Sequence, residues 1–139
     1  MDVLRSLKGT HWIIYVNRHK GEKIGGSPKT QLKNVIATYG DSCYICGLKK
    51  NKYDVEHLVP ICISGNNTIE NVRPCCKPCH DQKDAVDKRV IAILKMIGAL
   101  RGSGYQYEIY YSPEEMESLY HDLKEKVIFC KEQEKRSWM

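Results

Sequence analysis

Apolar residues recur at two spacings along this chain, and the switches between them mark out its elements. Trp12, Ile13, Ile14, Tyr15 and Val16 form a β-branched and aromatic run that predicts a short strand over residues 11–17. Residues 20–28 then form a basic, glycine-containing loop, and Ser27-Pro28 has the character of an N-cap followed by a first helical residue. Leu32, Val35, Ile36 and Tyr39 recur at helical spacing, with Gly40 as the stop. A strand is expected over residues 53–59. A Gly/Asn/Ser-rich loop should occupy residues 60–71, with a return strand near Val72 and Arg73. Val86, Val90, Ile93, Leu94, Ile97 and Leu100 make one apolar stripe, which predicts a helix over residues 77–100 packed on a core.

The segment from Gly102 to Gly104 breaks that period. Tyr105, Tyr107, Ile109 and Tyr111 alternate with Gln106, Glu108 and Tyr110, the pattern of a half-buried strand. Ser112-Pro113-Glu114-Glu115 is a capping box with proline at the first helical position. The helix it opens should turn Met116, Leu119, Tyr120, Leu123, Val127 and Cys130 inward. Helices and strands in this order predict an α+β fold without internal repeats. At 139 residues the chain is expected to form one domain. Residues 1–40 would be a basic arm and helix, 41–100 a cysteine-bracketed core, and 101–139 a C-terminal strand and helix.

Composition narrows the class. No apolar run approaches the roughly 20 residues that span a bilayer, and Met1 to Lys8 lacks an apolar leader segment. The expectation is therefore an intracellular protein, in cytoplasm or nucleus of a bacterial or virus-infected cell, neither membrane-bound nor secreted. Net charge is +5 and unevenly spread: residues 1–53 hold ten Lys/Arg against three Asp/Glu, whereas residues 101–139 hold six against eight. A basic first third suits an anionic partner, of which nucleic acid is the commonest; a solvated basic face is the plainer alternative. The glycines of residues 20–28 are not followed by Gly-Lys-Ser/Thr, so they do not make a nucleotide P-loop.

Seven cysteines in such a chain point to metal binding more than to disulfides, and their odd number argues the same way. Cys43-Tyr-Ile-Cys46 and Cys76-Lys-Pro-Cys79 can each offer two thiolates to one tetrahedral structural Zn²⁺. The two-residue gap to Cys79 favours Cys76 over its neighbour Cys75. Cys62 and Cys130 have no partner at ligand spacing and read as buried thiols. Twenty-nine residues separate Cys46 from Cys76, against about 15–20 in a zinc ribbon. That insert contains Asp54-Val55-Glu56-His57-Leu58-Val59-Pro60, Gly65-Asn66-Asn67 and Glu70-Asn71-Val72-Arg73-Pro74-Cys75; Cys79-His80 and Lys83 follow it.

In this order the motifs resemble the HNH endonucleases, over about residues 30–85. The resemblance implies a ββα-metal (His-Me finger) core with one structural zinc. It implies that His57 is the general base, that Glu56 and His80 hold a catalytic divalent metal (Mg²⁺ or Mn²⁺), and that Asn71 tethers the loop and orients the base. The family usually has Asp where this chain has Glu56, which makes Asp54, two residues back on the same strand face, a fallback ligand. Taken singly these residues have plainer readings. His80 could be a zinc ligand, Glu56-His57 a surface pair, and Asn71 a turn cap.

The resulting expectation is a metal-dependent DNA endonuclease or nickase. Arg18, Lys20, Lys23, Lys29 and Lys33 are its candidate contacts to double-stranded DNA, and the final helix could serve as a homodimer interface. A non-catalytic, zinc-stabilised nucleic-acid-binding or adaptor module is the alternative. A thiol oxidoreductase fits poorly, because no thioredoxin-like βαβ pattern surrounds either Cys-x-x-Cys.

Overall fold

The computed structural model describes residues 26–63, 68–103 and 106–137. The strand expected at 11–17 and most of the basic loop lie outside these residues. Helix α1, Pro28–Tyr39, begins as anticipated: Ser27 Oγ accepts from the Thr30 amide, and proline takes the first turn. It ends at Gly40, whose φ of 100° few other residues tolerate and whose amide donates to Ile36 O. Val35 is buried, while Leu32, Ile36 and Tyr39 are partly covered.

Strand β1, Asp54–His57, pairs antiparallel with β2, Val72–Cys75, placing Glu56 opposite Arg73 and His57 opposite Val72. Short 3₁₀ turns at Ile61–Ile63 and Ile69–Asn71 lie between the two strands. Helix α2, Lys77–Met96, follows β2 directly. Together β1, β2 and α2 are the expected ββα unit, and α1 packs on its hairpin.

Beyond α2 the chain departs from expectation. The helix stops at Met96, not at residue 100, because Gly98 enters the left-handed region at φ 77°. Ile97 is consequently 53% exposed, whereas Leu100 reaches the core from a strand. That strand, β3 (Leu100–Ser103), pairs with β4 (Gln106–Ile109), so a hairpin replaces the single strand expected. Gly102 does not break the structure; it sits within β3 opposite Tyr107. The hairpin meets α2 mainly through β3. Tyr107 on β4 is half-buried, while Ile109 and Tyr111 stay largely exposed.

Helix α3, Pro113–Ser137, opens with the capping box: Ser112 Oγ accepts from the Glu115 amide and donates to Glu115 Oε1. It packs along α2. The shared core joins Val86, Val90 and Leu94 to Val59, Ile63, Leu100, Met116, Tyr120, Val127 and Ile128. Cys130 is exposed, against expectation, and Ile128 is buried in its place. At about 100° per residue, the buried arc of α3 is rotated away from Cys130, toward Glu117, His121 and Lys124. Those three polar residues are buried too, which conceals the true arc from a hydropathy pattern. Cys62 is half-buried, and burial raises its thiol pKa. Among the described residues, no helix is long and apolar enough to cross a membrane.

Candidate active site and metal centre

The four cysteines are gathered by two tight turns of different origin. Cys43 to Cys46 curl around Gly47, whose φ is 74° and whose amide donates to Cys43 O. The Tyr44 amide donates to Pro74 O, stitching this knuckle to β2. Cys76 is the N-cap residue of α2, and Cys79 lies in its first turn. The four sulfurs all lie within 4.8 Å of one another, with Cys46 and Cys76 at 3.9 Å. Four thiolates about 2.3 Å from a tetrahedral ion would stand about 3.8 Å apart, so the donor set and its spacing fit zinc.

Cys75 does not join them. It is the last residue of β2, stands outside the group of four converging sulfurs, and is fully buried, which raises its thiol pKa strongly. Within the cluster, burial disfavours thiolates, yet amides of Cys46, Cys76 and Ile45 hold Cys43 down to about 6. Burial raises Cys76 and Cys79, so a divalent cation would be the natural source of compensating charge.

Alongside this knuckle the hairpin presents the acid–histidine pair. Glu56 is buried, whereas His57, next in the chain and on the opposite strand face, is half-buried. Immediately after Cys79, α2 presents His80, and its Nδ1 meets Glu56 Oε2 directly. His80 is thus turned away from the cysteine cluster and toward the carboxylate. One carboxylate oxygen and one imidazole nitrogen converging in this way suit a divalent cation with open positions. Among the described residues, no third acidic, cysteine or histidine side chain completes a group with them. Asp54 is exposed on the wall of the adjoining groove.

Asn71 is fully buried and grips the backbone just past His57. Its Oδ1 accepts from the Val59 amide and its Nδ2 donates to Val59 O, both at 3.0 Å. The Leu58 amide donates to Asn71 O at 2.8 Å. The residues following His57 are therefore held by one asparagine, through both its side chain and its main chain.

His57 and His80 open onto a groove of about 730 Å³, whose walls include Lys29 and Leu32 of α1, Asp54, and Lys77 of α2. Residues 43–94 match the HNH endonuclease family. No curated protein and no solved structure matches the chain. The matched segment contains the four cysteines, Glu56, His57, Asn71 and His80, while α1 and all of α3 lie outside it.

Of the basic residues expected to contact DNA, Lys29 lines the groove beside the HNH segment. Lys33 is exposed on α1 away from the groove lining, and Arg18, Lys20 and Lys23 lie outside the described residues. Sequence reasoning passes over Lys77, which flanks the groove and pairs with Asp81 at 3.2 Å. It also gives Lys83 and the inward-facing Tyr120 no part in the site and overlooks Asp87. Lys83 Nζ lies 3.3 Å from Glu56 Oε1 and 2.6 Å from Asp87 Oδ2. Burial alone would lower the Lys83 pKa, but Asp87 and Glu56 more than offset it and hold the ammonium above its ordinary value. The i,i+4 spacing of Lys83 and Asp87 is a legible signal; Tyr120, 33 residues beyond Asp87, leaves none.

Proposed function

We propose that this chain is a metal-dependent DNA endonuclease or nickase, with zinc on Cys43, Cys46, Cys76 and Cys79 as its structural ion. The observation that carries the reading is the meeting of Glu56 and His80 beside His57, at a groove flanked by Lys29 and Lys77. Glu56 and His80 would hold the Mg²⁺ or Mn²⁺ ion. When bound, that ion supplies Lewis acidity toward phosphate oxygens and the leaving 3′-oxygen.

The remaining steps fall to the chain itself. Lys29 and Lys77 draw the phosphate backbone into the groove. His57 takes the proton of a water that attacks phosphorus in line with the departing 3′-oxygen. An imidazole suits this task because its neutral form has one unprotonated ring nitrogen that can accept a proton. The P–O3′ bond breaks, and the 3′-oxygen takes a proton from solvent water, leaving 5′-phosphate and 3′-hydroxyl ends. Asn71 supports the base by fixing the backbone immediately after it.

The test is nicking of supercoiled plasmid across Mg²⁺ and Mn²⁺ concentrations. Wild type should cut. His57→Ala should lose at least about a hundredfold in rate, the scale of general-base catalysis, while keeping its zinc. Salt-dependent retention of DNA by wild type without any cutting would instead indicate a non-catalytic binding module.

A further inference from the structure

Behind Glu56 a line of polar side chains runs through the core to α3. Lys83 Nζ stands between Glu56 Oε1 at 3.3 Å and Asp87 Oδ2 at 2.6 Å, and Tyr120 OH donates to Asp87 Oδ1 at 2.6 Å. Lys83, Asp87 and Tyr120 are 3%, 7% and 0% exposed. An ion pair this deep is not a packing solution, since apolar residues of similar volume often stabilise a core as well or better. Its geometry, however, divides the work of the Glu56 carboxylate. Oε1 is held by Lys83, which leaves Oε2 presented to His80.

Tyr120 has one proton to share. The short arm goes to Asp87, and Leu58 O, at 3.3 Å, is the long arm of a three-centre bond. Leu58 directly follows His57. The hydroxyl of Tyr120 therefore touches the supports of both the acid and the base, from a helix beyond residue 94, where the family match ends.

We propose that the Lys83–Asp87 pair, locked by Tyr120, positions Glu56 so that Oε2 faces the divalent cation beside His80. Its meaning for catalysis rests on the nuclease reading above; its meaning for metal binding does not. A carboxylate already fixed in its binding rotamer loses little entropy when it takes up a cation.

Two variants of the zinc-loaded protein test this. Lys83→Met/Asp87→Leu removes the pair, and with it the hold on Glu56 Oε1, without a change in net charge. Tyr120→Phe removes only the hydroxyl. Calorimetric titration with Mn²⁺ and plasmid nicking are the readouts, with zinc content and thermal midpoint as controls.

The double variant should need about ten times more Mn²⁺ for half-saturation and lose about ten- to a hundredfold in kcat, the range typical of groups that orient metal ligands. Its KM for plasmid should stay unchanged, and Tyr120→Phe should shift in the same direction by less. Wild-type Mn²⁺ affinity and kcat in the double variant would overturn the proposal and leave the pair a structural element. If the double variant fails to fold, Tyr120→Phe decides alone, and wild-type behaviour there overturns the proposal. A wild-type protein that binds Mn²⁺ without cutting DNA sinks the nuclease reading only, and the titration still decides this one. A wild-type protein that binds no Mn²⁺ overturns it outright.

Discussion

Asn71 satisfies two main-chain groups of Val59 with one side chain, donating to the carbonyl and accepting from the amide. Asn71→Asp keeps the shape and the acceptor but puts an oxygen against Val59 O. With that buried acceptor unpaired, stability should fall by about 1–3 kcal/mol. The nicking rate should fall with it, because the segment after His57 is no longer clamped. Urea denaturation and plasmid nicking measure the two effects, and unchanged stability would refute the clamp. The adjacent cysteines allow a cleaner comparison. Cys76→Ala should abolish stoichiometric zinc binding, whereas Cys75→Ala should retain one zinc per chain by elemental analysis, because Cys75 stands outside the cluster.

At the scale of elements, α3 is the one whose orientation differs most from its apolar pattern. It buries Glu117, His121 and Lys124 beside Met116, Tyr120 and Val127. Burial pulls Lys124 down to about 8. His121 is also lowered, chiefly by burial and in part by Lys124, against the pull of Glu117. An imidazole kept neutral in the fold but free to protonate when unfolded binds more protons in the unfolded state. Its contribution to stability is therefore present above about pH 6.5 and lost as the pH falls below that value. His121→Gln should lack this loss. The stability difference between wild type and variant, from urea denaturation at stepped pH, should be constant above pH 7 and shift against wild type at lower pH. A difference that stays flat across that range would show that His121 does not titrate on unfolding.

For the whole molecule, the groove is assembled from three separate stretches: α1 contributes Lys29, β1 contributes His57, and α2 contributes Lys77 and His80. If DNA backbone lies there, Lys29→Glu/Lys77→Glu should weaken plasmid binding. It should also flatten the slope of log affinity against log salt by about 2, roughly one for each phosphate no longer neutralised. The cutting rate at saturating DNA should change little. Fluorescence anisotropy across a salt series checks this, and an unaltered slope would move the DNA path elsewhere on the surface.

Much of this arrangement was legible in the chain itself. Ser27-Pro28 and Gly40 mark the ends of α1, and Ser112 to Glu115 mark the start of α3, because caps act within a single turn and need no tertiary partner. The spacing of Cys43, Cys46, Cys76 and Cys79 likewise announces one metal centre, since ligand geometry constrains short loops directly. Other features depended on distant contacts. The hairpin of β3 and β4, the outward turn of Cys130 and the buried polar face of α3 depend on what packs against them, which a hydropathy period does not encode. The line from Glu56 through Lys83 and Asp87 to Tyr120 spans residues far apart in the chain. Spacing along one element placed Lys83 and Asp87 on a common face. Only the packing of α3 against α2 decided that a hydroxyl would close the line behind them, because a buried hydrogen bond needs both partners in place, and chain order specifies one at a time.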